Sequence, residues 1–275
     1  MHIINGKKIA SEIEAGIRKK IGKEKPGIAT ILVGENSASL LYAKLKEKAC
    51  KRLGFHSQTV HFPSDVEIKE IKETIRNFNE DEKIHGIVVQ LPLPEGMEYE
   101  EIVKEINPQK DIEGMHPCNI GATLLNKEFL VPCTPLAVIK ILEHENIDVE
   151  GKDVVIVNHS NIVGKPLAAM LLNRNATVSI CHVYTKDIKK YTSRADILIT
   201  GTGVEGLIKK EHVKKGAIAI DVGIVRKKDR SICGDIDFED VKKKVKAITP
   251  VPGGVGPVTI ACLMENAVKA FNRKI

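Results

Sequence analysis

Apolar residues recur every four positions at the start of the chain, as Ile9, Ile13, Ile17 and Ile21. That spacing keeps them near one face of a helix over residues 6–23. The run GIATILVG (27–34) follows, short, unbroken and closed by glycine, which fits a strand buried on both faces in a parallel sheet covered by helices. The alternation continues with a helix near 37–53, a strand at 57–62, a helix near 66–80 and a strand at 84–91. A second series opens with VPCTPLAVIKILEHEN (131–146), where Thr134 and Pro135 suit the N-cap and first position of a helix. Strands at 153–158, 176–181, 195–200 and 217–222 are separated by connections of crossover length. Four such strands predict a doubly wound, Rossmann-like domain. The amphipathic stretch 257–272 is expected to return to the first domain. The expectation is an α/β chain of two domains, residues 1–133 completed by 251–275, and residues 134–250.

Composition is compatible with this plan and removes several classes. With 275 residues, 43% of them hydrophobic, the chain can fill two cores. The N-terminal segment MHIINGKKIASEIEAG lacks a basic-then-apolar leader, and no run reaches the roughly 18 apolar residues of a membrane span. A soluble, cytoplasmic protein without a membrane partner is expected. The six cysteines are scattered, with no C-x-x-C pair and no histidine at ligand spacing, so they read as buried thiols in a reducing compartment and no metal is expected. Forty-two Lys and Arg against 36 Asp and Glu give +6, better explained by a generally charged surface than by nucleic acid. An aromatic content of 4% also argues against base-stacking platforms.

Three segments carry candidate chemistry. Strand 153–157 runs into NHSNIVGKP (158–166) and then the apolar LAAMLLN, a layout that cradles a pyrophosphate at a helix N-terminus. Asn158, Ser160 and Val163 stand where the glycines of G-x-G-x-x-G would fall, so composition alone leaves an ordinary strand-turn-helix open. Gly201 and Gly203 add a second loop suited to close approach. In the first half, Tyr42 and Lys46 share a helical face at i and i+4. Spacing alone also permits Lys46 to be one solvated lysine among Lys44, Lys46 and Lys48. Gln90 ends a buried strand, where a structural amide is the alternative.

The segments SASLLYAKLKEKAC (37–50), VVQLPLP (88–94), KDIEG (110–114), VPCTP (131–135), NIVGKP (161–166) and ITPVPGGVGPVT (248–259) resemble, in order, those of the bifunctional methylenetetrahydrofolate dehydrogenase/methenyltetrahydrofolate cyclohydrolases. The resemblance implies an N-terminal folate-binding catalytic domain and an NAD(P)-binding domain. It implies oxidation of 5,10-methylenetetrahydrofolate and hydrolysis of the methenyl product to 10-formyltetrahydrofolate. NADP is the cofactor it implies, with NAD open, and the assembly a homodimer through the cofactor domain. Lys46 becomes the acid–base group, Tyr42 stacks along the folate and positions it, and Gln90 orients and tunes it.

Glu113 stands where the family's second aspartate of Lys-Asp-x-Asp-Gly binds the pterin, one methylene further out; Asp111 is a less favoured substitute. Pro252, Gly253 and Gly256 line the other side of the folate. Asn158, His159, Ser160, Val183, Gly201, Gly203 and Ile224 are the implied cofactor contacts, Ile224 near the nicotinamide. His159 and Val183 stand where the family reads the NADP 2′-phosphate with arginine or a small polar residue, leaving Lys165, Lys186 or a protonated His159 as cations. An ordinary lysine titrates near ~10.4, so a neutral amine at neutral pH requires roughly 4 kcal/mol of differential interaction. Competing expectations are another two-domain NAD(P) dehydrogenase, a basic non-catalytic nucleic-acid-binding protein, and a family member that has lost one activity.

Overall fold

The structure, a computed structural model, describes residues 1–227, 229 and 231–273. Its strands are β1 (His2–Ile3), β2 (Gly27–Val33), β3 (His56–Phe62), β4 (Gly86–Val89), β5 (Asp153–Val157), β6 (Thr177–Cys181), β7 (Ile197–Thr200), β8 (Ile218–Asp221), β9 (Val225–Arg226), β10 (Ile232–Cys233) and β11 (Ala247–Ile248). Its helices are α1 (Gly6–Lys20), α2 (Ser37–Leu53), α3 (Ile68–Glu80), α4 (Tyr99–Val103), α5 (Pro117–Leu124), α6 (Cys133–His144), α7 (Gly164–Leu172), α8 (Lys189–Thr192), α9 (Phe238–Val241) and α10 (Val255–Asn272). The chain divides into two compact units, one of Met1–Ser11 with Thr134–Thr259, the other of Glu12–Cys133 with the segment from Ile260.

The Glu12–Cys133 unit is built on a parallel sheet of order β3-β2-β4. All seven residues of β2 are buried, as its unbroken apolar run requires. The polar β3 is an edge strand and mostly exposed. On α3, Ile71, Ile75 and Phe78 recur at helical spacing and join Ile31, Val33, Ile87 and Val89 of the sheet in one core. Helix α2 is fixed at both ends. Asn36 Oδ1 accepts from the N–H groups of Ala38 (2.9 Å) and Ser39 (3.2 Å). At the far end Gly54 takes φ +73°, and the N–H groups of Gly54 and Phe55 reach the carbonyls of Lys51 and Cys50 at 3.2 and 2.9 Å. Within this unit, α10 contributes the fully buried Asn266, whose Nδ2 donates to the carbonyls of Ile112 (2.9 Å) and Val131 (3.0 Å).

The other unit holds a six-stranded sheet of order β1-β11-β8-β7-β5-β6 in which every pairing is parallel. Four of its strands follow the apolar pattern. The edge strand β1 and its neighbour β11 have two residues each, too few to show a period, and His2 and Ile3 pair with Ala247 and Ile248. The chain leaves β5 for β6 on one side and returns past it to β7 on the other, so the strand order reverses at β5 and opens a crevice at the carboxyl ends. Helix α6 starts at Cys133, which puts Thr134 and Pro135 inside its first turn rather than at the cap and first position. The cysteines also depart from expectation: four are buried, but Cys118 is exposed and Cys233 partly exposed.

Replacing Asn266 by alanine leaves two buried carbonyls without their donor, and an expected loss of about 2–4 kcal/mol is read from urea denaturation. An unchanged midpoint would mean that other donors serve Ile112 and Val131.

Candidate active site and cofactor cradle

Helix α2 presents Lys46 to the KDIEG segment, where Lys46 Nζ lies 2.8 Å from Glu113 Oε1. Both side chains are sheltered, 12% and 21% exposed, and the amine is the cationic half of an ion pair. Tyr42, one turn earlier, is half-buried, and burial raises its phenol above the ordinary value. Gln90 lies at the end of β4 and is buried. Its Nε2 donates to the carbonyl of Leu91 at 2.7 Å, while Oε1 is buried without a partner among the described residues. Ser39 Oγ, on α2, donates to the carbonyl of Pro92 at 3.2 Å and ties the helix to the loop that follows Gln90.

The two carboxylates of KDIEG have separate jobs. Asp111 is buried and accepts from His116 N–H at 2.7 Å and Asn119 Nδ2 at 2.8 Å. Burial raises its pKa, against those donors. It staples its own turn, and Glu113 is the carboxylate that faces Lys46. Two neighbours were not singled out by sequence. Burial, reinforced by the charge of Glu113, pushes the Tyr99 phenol and the Cys133 thiol well above their ordinary values. Cys133 lies within VPCTP, but nothing in that segment or around Tyr99 names Glu113 as a neighbour.

In the sheet of the other unit, the cradle forms at the end of β5. Asn158 Oδ1 accepts from Ser160 N–H (2.8 Å), Ser160 Oγ (2.8 Å) and Gly164 N–H (3.0 Å), and its Nδ2 donates to the carbonyl of Gly201 beyond β7. Asn158 therefore organises the loop with its side chain where a glycine was looked for. Gly164 is required: a Cβ there would lie 2.1 Å from the Asn158 carbonyl oxygen. Gly203 has φ +74° with open space where a Cβ would stand. Helix α7 begins at Gly164 and its first turn is tied back to this loop, Lys165 N–H donating to the carbonyl of Ser160 (3.1 Å) and Leu167 N–H to that of Val163 (3.0 Å), which sets the two glycine loops at the carboxyl edge. This geometry fits a dinucleotide. The rings of His159 and His182 lie against each other with centroids 4.9 Å apart and planes tilted by 41°, and Val183 and Ile224 are exposed at 85% and 48%. Pro252, Gly253 and Gly256 lie where α10 begins, in this same unit, with Gly253 at φ +105°. The proposed substrate residues thus divide between the units, while Tyr42, Lys46, Gln90 and Glu113 all belong to one.

Two buried acids at this edge were also missed. Asp221 ends β8 and Asp235 follows β10, at 3% and 0% exposure. Asp235 accepts from Thr200 Oγ1 (2.7 Å), Gly203 N–H (2.9 Å), Val204 N–H (3.2 Å) and Thr202 N–H. Asp221 accepts from Ile236 N–H (2.8 Å), Gly223 N–H (2.9 Å) and Asp235 N–H (3.2 Å). The available signal was an acid closing an apolar strand and a second in CGDID (233–237), neither of which names a partner.

Glycine loops at the carboxyl ends of a doubly wound parallel sheet are the features of a dinucleotide-binding domain. A model for the catalytic domain of tetrahydrofolate dehydrogenase/cyclohydrolase matches residues 4–113, and one for its NAD(P)-binding domain matches residues 132–275. The chain belongs to this tetrahydrofolate dehydrogenase/cyclohydrolase family. It is 50% identical over 277 residues to the bifunctional protein FolD of Methanococcoides burtonii, covering 98% of this chain and 96% of that one. The bifunctional FolD enzyme of Campylobacter jejuni matches in structure with a TM-score of 0.97 and 44% identity over 100% of both chains. The Trypanosoma brucei dehydrogenase-cyclohydrolase, solved with NADP cofactor and an inhibitor, gives 0.94 and 34% over 98% and 97%. These matches span both halves and leave no support for an unrelated dehydrogenase or a nucleic-acid-binding protein.

Burial, opposed by its N–H donors and reinforced by Asp235, pushes the Asp221 carboxyl up to about 7. In the unfolded chain an aspartate titrates near ~3.9, so the folded state binds this proton more tightly. The resulting stability is fully present below the unfolded value and is lost as pH rises through about 7. Denaturation midpoints measured across that window are expected to fall with pH less steeply in Asp221→Asn than in the unsubstituted protein. Parallel slopes would show that Asp221 does not titrate there.

Proposed function

We propose that the chain oxidises 5,10-methylenetetrahydrofolate with NADP and hydrolyses the methenyl product to 10-formyltetrahydrofolate, with Lys46 carrying the proton in the second step. The observation that carries the assignment is the sheltered Lys46–Glu113 contact at 2.8 Å, which joins the lysine to the carboxylate at the family's pterin-binding position. Glu113 serves two partners in turn. In the free enzyme it holds the Lys46 ammonium; when its oxygens take up the pterin's amino and ring N–H groups, the lysine loses its counterion. The cationic methenyl bridge then further disfavours a charged amine. Water adds to the methenyl carbon, forming a C–O bond, and its proton passes to neutral Lys46. The C–N5 bond then breaks as the carbinolamine hydroxyl becomes the formyl carbonyl and releases its proton to solvent, while Lys46 returns the first proton to the departing N5. Gln90, with a buried oxygen free to accept, orients the amine, and Tyr42 positions it along the folate face.

NADP, when bound, supplies the hydride acceptor. The protein's part in that step is positioning: the Asn158–Ser160 loop ahead of α7 receives phosphate, Gly201 and Gly203 allow close approach, and Ile224 packs near the nicotinamide. Pro252, Gly253 and Gly256 contact the folate. The NADP-bound Trypanosoma brucei relative supports NADP; the imidazoles of His159 and His182 are the groups offered to its 2′-phosphate. The same proposal includes a homodimer through the cofactor unit, where β6 is an edge strand with Ile180 exposed, and a cytoplasmic location. Among the described residues, no helix is long and apolar enough to cross a membrane.

Lys46→Met is expected to abolish decay of added methenyltetrahydrofolate while NADP binding by calorimetry stays near its original value. Undiminished hydrolysis in that variant would sink the assignment of Lys46. His159→Arg is expected to favour NADP over NAD by about tenfold, the worth of one charged hydrogen bond, in parallel titrations with the two cofactors. An unchanged ratio would place the 2′-phosphate elsewhere.

A further inference from the structure

Asp221 and Asp235 take no part in the mechanism above, yet they are the two most deeply buried carboxylates of the cofactor unit. Among the described residues, no cationic side chain pairs with either. Their oxygens are met by backbone N–H groups and one hydroxyl, so that each acid ties down a stretch of loop backbone. The donors to Asp235 come from the loop after β7: Thr200 Oγ1 and the N–H groups of Thr202, Gly203 and Val204. The donors to Asp221 include Gly223, in the loop after β8 that leads to Ile224. Both loops emerge at the carboxyl edge of the parallel sheet, where a dinucleotide is received.

The acids also interlock. Asp221 accepts from the N–H groups of Asp235 and Ile236, so it fixes the backbone from which Asp235 projects. A Cβ on Gly223 would lie 2.1 Å from Asp235 Oδ1, and one on Gly234 would lie 2.1 Å from Asp221 Oδ2. Each carboxylate thus passes over a glycine adjoining the other, and neither loop can shift without moving an acid that holds the second.

We propose that Asp235 and Asp221 are positioning residues that set the Gly201–Val204 and Val222–Ile224 loops as one unit for the nicotinamide cofactor. The inference rests on the NADP reading for its functional consequence, whereas the coupling of the loops stands on the protein alone. In Asp235→Asn one acceptor oxygen becomes an NH2 group that faces N–H donors, and the 202–204 loop loses its anchor. Asp221→Asn acts at one remove, since it loosens the backbone that carries Asp235.

The test uses the full chain without cofactor, by amide hydrogen exchange, and then with NADP, by calorimetry and initial rates. Asp235→Asn is expected to speed exchange at Thr202, Gly203 and Val204 by about tenfold or more. It should weaken NADP binding and raise the KM for NADP by about the same factor, with kcat at saturating cofactor near the original value. A general folding defect would instead lower kcat through loss of active protein. Asp221→Asn is expected to speed exchange at its own partners Gly223 and Ile236 and also at Thr202–Val204. Exchange confined to its own partners would overturn the coupling. Folded Asp235→Asn with unchanged exchange at 202–204 and unchanged NADP affinity would overturn the positioning role. Should the aspartate variants fail to fold, Thr200→Val removes only the hydroxyl donor. It should raise exchange at Thr202 and NADP dissociation by about threefold, and no change in either would overturn the proposal. If the unsubstituted protein does not bind NADP, the cofactor reading falls, and the exchange experiment still decides whether the loops are coupled.

Discussion

A parallel sheet covered on both faces leaves almost nowhere for polar chemistry except the ends of its strands. In both units this constraint determines where function is placed. β2 is buried along its whole length and β4 is likewise buried, so the first available amide is Gln90, one residue beyond β4. In the other sheet Asn158 follows β5, Gly201 follows β7 and Asp221 closes β8. The side chains proposed to receive cofactor, and those that shape the loops around it, are crowded into a few residues at the carboxyl edges because the strands themselves exclude them, whereas Tyr42 and Lys46 come from helix α2.

Crowding makes the supporting hydrogen bonds as consequential as the groups that meet a ligand. Asn158 draws four bonds into one turn and joins the β5 loop to the β7 loop. Asp235 gathers four donors from the β7 side. In the folate unit, Asn266 pins the carbonyls of Ile112 and Val131 on either side of Glu113 in sequence, and Asp111 holds the turn that follows. Lys46 therefore meets a carboxylate whose backbone is restrained from several directions, consistent with a contact that forms and breaks at the side-chain level.

Much of this was legible in the residue pattern, for identifiable reasons. The buried strands announced themselves because burial on both faces demands unbroken apolar runs, whereas Tyr42 and Lys46 were singled out by the family resemblance, since i+4 spacing alone equally allows a solvated lysine. Where side chains meet across long separations the pattern was silent. Lys46 and Glu113 are 67 residues apart, and the extra methylene of Glu113 does not by itself identify the lysine it reaches. Asp221 and Asp235 are ordinary acids until their backbone partners are known. The cap assigned to Thr134 failed because helix α6 begins one residue earlier, and β1 and β11 were invisible because two residues carry no period.

The pairing of β1 with β11 bears on how the molecule is made. Residue 2 forms its sheet contact with residue 247, and Ile4, wholly buried, donates its N–H to the carbonyl of Ile248. During synthesis β1 therefore has no strand neighbour until residues 247–248 have been made. The intervening Glu12–Cys133 unit can gather its own sheet in the meantime. A fragment cut at residue 134 to isolate the cofactor unit would lack an edge strand, and a tag fused at Met1 would sit directly on a sheet margin.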